Sequence, residues 1–167
     1  MSSAVPIIRE HGAGERRWFY GGGTHTWKAA AAETGGAFLV FEDALTEGKM
    51  TPLHAHAEAD EALYVLEGEI LVRIGEREER VSAGGFTLSP RGVPHAFMVL
   101  SPTAKLLTFQ SPGAGDAFYR DASEPATGTS DAQAPVDFER VRAIAGTTHA
   151  VDLLGPPPFA AGEAPRV

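Results

Sequence analysis

The sequence predicts an all-β antiparallel sandwich or barrel that ends in short helices. Three observations lead there. The 167-residue chain carries 19 glycines and 12 prolines, enough to punctuate it every few residues. Between these breaks lie short runs that alternate or are wholly apolar, the pattern of half-buried and fully buried strands. After Ser111-Pro112-Gly113 the alternation stops and helical spacing begins.

Taken in order, residues 1–16 read as a loose lead-in. Arg17–Tyr20 is a short aromatic run closed by a turn at Gly21–Gly23, and Thr24–Ala32 reads as a strand or a helical turn, its Thr and Trp favouring the strand and its alanines the helix. Gly35-Gly36 breaks the chain before a strand at Phe38–Leu45. His54–His56 begins a short strand after Pro52, and Glu61–Glu67 is a strand rich in Tyr, Val and Leu. Gly68-Glu69 predicts a tight hairpin into Ile70–Ile74. Gly75-Glu76 turns into Glu78–Ser82, Gly84-Gly85 into Phe86–Ser89, and His95–Leu100 and Lys105–Gln110 complete about eight strands. Asp116–Ala122 fits a short helix, and Glu124–Pro135 is polar and Pro-containing, as expected of a mobile loop. Val136–Ala145 places Phe138, Val141 and Ile144/Ala145 on one helical face, with Asp137 as cap. Pro156–Pro158 and the tail to Val167 are expected to be irregular. No internal repeat is present. The expected organisation is one structural domain: an N-terminal arm with strands (1–36), a barrel core (37–111), and C-terminal helices with a Pro-rich tail (112–167).

Composition excludes several functions. With no cysteine there is no disulfide, thiolate metal site or cysteine nucleophile. A formal charge of -8 repels phosphates and anionic lipid, so neither nucleic acid nor a membrane is an expected partner. No run approaches the length of a membrane span or of a signal-peptide core, and the expected location is cytoplasmic.

The chemistry centres on His54-Ala55-His56. Residues two apart on a strand face the same side, so both imidazoles can converge on one ion, with Glu61 close behind. An isolated His-x-His pair is ordinarily a solvated feature, but the context here is specific. Gly48-Lys-Met-Thr-Pro-Leu-His54-Ala-His56-Ala-Glu-Ala-Asp-Glu61, followed six residues later by Gly68, resembles the first cupin motif at every fixed position. Gly84, Pro90, Gly92 and His95 resemble the second cupin motif, which ends in Asn where this chain has Val99. The tail is similar to the C-terminal helices of small single-barrel cupins related to bacterial quercetin dioxygenases.

The resemblance implies a jelly-roll barrel, an antiparallel double-stranded β-helix. It also implies one divalent metal per chain (iron, manganese, nickel, cobalt or copper, with zinc also compatible). The implied ligands are His54, His56, Glu61 and His95, with Glu61 also the candidate catalytic base. Leu63 and Val65 alternate with Tyr64 and Leu66, so both faces of that strand are apolar and the outer one needs cover. Cover by the chain itself and cover by a partner both satisfy this. The resemblance points to a homodimer.

Strand parity places Leu63, Val65, Phe97, Val99, Ile70, Val72 and Ile74 around the metal. It places no Lys or Arg there, which argues against oxalate and sugar phosphates and favours a larger, partly aromatic or ketonic substrate with oxygen donors. Parity leaves open whether Glu42 or Asp43 faces inward. His25 is either a surface or a pocket-lining residue, and His11 and His149 fall in polar, loop-like stretches. Three functions fit. The first is a dioxygenase acting on a flavonol- or polyketide-like molecule, with dioxygen as co-substrate. The second is a non-redox metal-dependent isomerase, cyclase or lyase. The third is a binding module.

Overall fold

The computed structural model describes residues 3–126 and 136–159. The strands are β1 (Arg16–Phe19), β2 (Thr24–Ala29), β3 (Leu39–Thr46), β4 (Leu53–Ala55), β5 (Asp60–Glu67), β6 (Glu69–Ile74), β7 (Arg77–Ser82), β8 (Phe86–Ser89), β9 (His95–Val99), β10 (Thr103–Ser111), β11 (Ser123–Pro125) and β12 (Asp152–Gly155). The helices are α1 (Asp116–Asp121) and α2 (Phe138–Thr148). All strand pairs are antiparallel and form two sheets. One runs β11-β1-β2-β3-β10-β5-β8 and the other β12-β4-β9-β6-β7. The two sheets pack face to face as a jelly roll with short C-terminal helices, as the sequence predicts.

The alternation that identifies the strands also fills the interior. Along β3, Leu39, Phe41, Asp43 and Leu45 are buried and their neighbours are not. Leu63 and Val65 of β5, Ile70 and Val72 of β6, Val99 of β9 and Leu106 of β10 make the apolar filling of one end, with Ile74 and Phe97 against them. Val99, which replaces the motif's Asn, is part of this filling. The other end is closed by a second cluster. There Trp27, Leu39 and Phe41 meet Phe118 and Tyr119 of α1 and Val141 and Ala145 of α2. Trp27 Nε1 donates to Asp116 Oδ1 at 2.8 Å, tying α1 to β2.

Three expectations need correction. Twelve strands, not about eight, lie among the described residues. Arg16–Phe19, Ser123–Pro125 and Asp152–Gly155 are each too short to carry a period and gain order only by pairing with neighbouring strands. Gly68-Glu69 does not close a hairpin, because β5 pairs with β10 and β8 while β6 pairs with β7 and β9. The chain instead crosses between sheets at Gly68. Its φ of +84° and the Thr103 carbonyl, which a Cβ would meet at 2.4 Å, both require glycine.

Third, α2 buries Val141 and Ala145, with Ile144 packed against them, but Phe138 remains 45% exposed. Asp137 does cap the helix, accepting from Arg140 N at 3.0 Å. The Pro-rich stretch is irregular, as expected. Phe159 lies across the outer face of the second sheet, buried with Leu71, Ala96, Met98 and Leu100. The loop expected at 124–135 and the tail beyond 159 lie mainly outside the described residues.

Candidate metal centre

The two sheets bring the four expected ligands together from opposite sides. His54 on β4 stands directly across from His95 on β9. His56 follows at the end of β4, and Glu61 comes from β5 of the facing sheet. All four side chains are buried, and one ligand atom from each lies within 4.8 Å of the others. The three imidazole centroids are 4.4, 5.2 and 5.3 Å apart.

Backbone carbonyls decide which ring nitrogen faces the centre. His54 Nδ1 lies 2.8 Å from the Pro52 carbonyl, His56 Nδ1 3.1 Å from that of Ala150, and His95 Nδ1 2.9 Å from that of Val93. A carbonyl only accepts, so each Nδ1 carries the proton and each Nε2 presents a lone pair inward. This is the arrangement that prepares an imidazole to ligate a metal. The Glu61 carboxylate faces His95 Nε2 at 3.1 Å through Oε2 and His56 Nε2 at 3.3 Å through Oε1.

The electrostatics agree. Burial, and then the fields of His95 and His56, push the His54 imidazolium down to about 3, so this ring is neutral at ordinary pH. Burial also opposes charge on His56, but the neighbouring Glu61 carboxylate outweighs it and raises that ring. Burial pushes Glu61 up, yet His56 and His95 together hold it well below the usual carboxylate range. Three imidazole nitrogens and one carboxylate, converging in a buried space, are a donor set that fits a borderline divalent ion.

Several site residues escaped the sequence reading. Gln110 stands across from Glu61 on β10, and its Nε2 donates to Glu61 Oε1 at 3.0 Å and reaches His56 Nε2 at 3.2 Å. The Tyr119 hydroxyl of α1 donates to the same carboxylate oxygen at 3.3 Å. Strand parity points Gln110 inward, so a polar residue on the buried face of an apolar strand was the available signal. Tyr119 offered none, because its position depends on how α1 docks.

Asp43, not Glu42, faces the interior. It bonds His25 Nε2 at 3.0 Å and accepts from the Thr108 hydroxyl. His25 is thus pocket-lining, its ring held between Phe19 and Phe41 at 4.7 and 4.5 Å.

Two cavities adjoin the cluster, of about 60 and 50 Å3, and Phe19, Lys49, Thr51, His54 and Tyr119 line both. Glu61, His25 and Asp43 line the second. The expectation that no Lys or Arg stands there is therefore wrong. Lys49 lies between β3 and β4, where strand parity says nothing about direction.

A two-sheet antiparallel barrel with a buried His3Glu cluster beside a cavity fits a β-barrel protein with a divalent metal site. Residues 42–109 match the family model of the cupin domain, the segment that holds all four cluster residues. This match supports reading the chain as a small protein of the cupin superfamily.

It is 29% identical over 125 residues to a quercetin 2,3-dioxygenase of Bacillus subtilis, covering 75% of this chain but only 37% of that protein. Among solved structures it is similar to KdgF from Halomonas sp., at 18% identity and a TM-score of 0.59 over 65% of this chain and 94% of the other. It is also similar to an RmlC-like cupin from Shewanella frigidimarina, at 19% identity and 0.56 over 67% and 95%. At these identities the two structures speak for the fold alone.

Proposed function

We propose that this protein is a metal-dependent dioxygenase acting on a small enolic or phenolic molecule. The observation that carries the proposal is the cluster itself: three Nδ1-tethered histidines and one carboxylate, buried and bordering a cavity. The quercetin 2,3-dioxygenase relative supports the redox reading, although the chain spans 37% of that protein's length. His54, His56, His95 and Glu61 would hold the ion. When bound, a divalent first-row metal would polarise a substrate oxygen and, if redox-capable, promote reaction with dioxygen.

The chain's own residues supply the rest. The three backbone carbonyls fix the imidazoles. Leu63, Phe97 and Phe19 keep the space dry. Glu61 takes the proton of the substrate hydroxyl or acidic C–H. Gln110 and Tyr119 both donate to Oε1 and hold the carboxylate in place. The cavities each have room for only roughly four water-sized groups, at ~10–15 Å3 per water. That favours a compact enol over a flavonol.

Oxygen-electrode assays with acetylacetone and quercetin, aerobic and anaerobic, before and after chelation, test the reading. Metal-dependent oxygen uptake matched to substrate loss is expected. Anaerobic turnover would instead establish the second reading, a non-redox isomerase, cyclase or lyase. The acid–base groups Lys49 and His25–Asp43 in the cavity favour that reading. A bound ligand without turnover in either atmosphere would indicate a binding module.

We further propose a cytoplasmic homodimer. Among the described residues no helix is long and apolar enough to cross a membrane. The outer face of β5, β8 and β10 exposes Tyr64, Leu66, Phe86, Leu88 and Phe109 together, a continuous apolar patch of the kind a second copy covers.

A further inference from the structure

Lys49 is a partly buried cation with no carboxylate at ion-pair distance among the described residues. Its ammonium donates to the Gly21 carbonyl and sits 5.6 Å from the centre of the Phe19 ring. The carboxylate whose field reaches it is Asp43, and both Asp43 oxygens are already engaged, by His25 and by Thr108. Burial lowers the ammonium to about 8, with Asp43 opposing the shift.

The chain is shaped to hold this side chain. At Gly22, where φ is +93°, an added Cβ would come within 3.4 Å of Lys49 Cδ and 3.3 Å of Val136 Cγ2. The Gly21–Gly23 turn thus wraps the lysine stem, with a carbonyl at its head. The same side chain lines both cavities beside the cluster.

We propose that Lys49 determines specificity, taking an anionic oxygen of a small organic substrate (a carboxylate or enolate oxygen) in the cavity that His54 and Glu61 line. A neutral substrate would leave the ammonium desolvated with one carbonyl as its partner. An anionic oxygen replaces that with a charge-assisted hydrogen bond. Cavities of about 60 and 50 Å3 accommodate such a group and little more. This rests on the reading of that cavity as the substrate site. It turns the expected preference for a larger, partly aromatic or ketonic substrate toward compact anions.

The test is titration of the full-length protein with acetate and, in parallel, its neutral isostere acetamide. It is followed by the NMR signal of the Lys49 ε-methylene and by calorimetry, on protein loaded with Zn2+ and on chelator-treated protein. Saturable acetate binding that shifts the Lys49 signal is expected, with no saturable response to acetamide. Lys49→Met should weaken acetate binding at least about tenfold, the loss of one charge-assisted contact, while Lys49→Arg keeps it within about threefold.

If Lys49 only staples the glycine turn, Lys49→Met lowers the melting temperature and leaves acetate affinity unchanged, which overturns the proposal. So does an acetate response in wild type that leaves the Lys49 signal unmoved, or no acetate binding. The ε-methylene readout keeps the test decisive even if Lys49→Met folds poorly. Metal content, measured separately, distinguishes the two ideas. A protein without metal whose acetate binding needs Lys49 sinks the dioxygenase reading alone. A metal-bound protein indifferent to Lys49 sinks this one alone.

Discussion

Glu61 has four neighbours at 3.0–3.3 Å: His56, His95, Gln110 and Tyr119. Two of them, Gln110 and Tyr119, are neutral donors that orient the carboxylate without competing for its charge. Gln110→Leu is therefore expected to leave the fold intact and to weaken metal binding roughly 10–100-fold, as loss of an outer-shell partner does. Competition with a coloured chelator measures this, and unchanged affinity would remove Gln110 from the site.

The same cluster sets an acid limit on the metal-free protein. His54 is held neutral down to about 3, below its ordinary value near 6.5. In the unfolded chain it takes up a proton first as pH falls, so the folded state loses stability from roughly pH 6.5 downward. Glu61, depressed well below its usual range, adds a second loss: its stabilisation is present above about pH 4.5 and disappears as pH falls through its folded value. His56 is raised, so its contribution is fully present below about 6.5 and does not steepen the acid side. Thermal melts of chelated protein should fall across pH 6.5 to 4, and His54→Asn should flatten the upper part of that slope. An equal slope in the variant would contradict the assignment.

At the scale of elements, β3 and β10 were legible as long strands, their buried side chains alternating without a break over eight and nine residues, whereas β4 and β9, which hold the histidines, are three and five residues long and carry no such period. The ligands were legible because two motifs fix their spacing. What was not legible depends on contacts between distant segments. The sheet change at Gly68 looks like a hairpin turn locally, and only the partners of β5 and β6 show otherwise. Lys49 sits off any strand, so parity could not place it. The amphipathic face of α2 was read correctly at Val141 and Ala145, while Phe138, in the first turn, extends past the surface it was expected to cover. Val141→Ala should then cost roughly 1–2 kcal/mol, at ~0.8 kcal/mol per buried CH2. Phe138→Ser should stay within about 0.5 kcal/mol. Urea unfolding of the two variants checks the order, and a larger loss at Phe138 would reverse the packing described here.

At the scale of the molecule, the barrel spends one sheet face on the cluster and leaves another open. β8 is an edge strand, and its outward Phe86 and Leu88 are 62% and 51% exposed beside Tyr64 of β5. β8 is only four residues long, so it is the apolar face around it, not its open edge, that invites a partner. Sedimentation velocity is expected to give twice the 17.6 kDa chain mass, and Leu88→Glu to return a folded monomer. A wild-type monomer would show that the face is left bare.

Metal content tests the central claim most directly. Purified or reconstituted protein should carry about one divalent first-row ion per chain by elemental analysis. His95→Ala should keep the wild-type circular dichroism spectrum and retain little or none, because the cluster would lose one of its three imidazoles. Wild type that binds no ion after reconstitution, or His95→Ala that stays fully loaded, would contradict it.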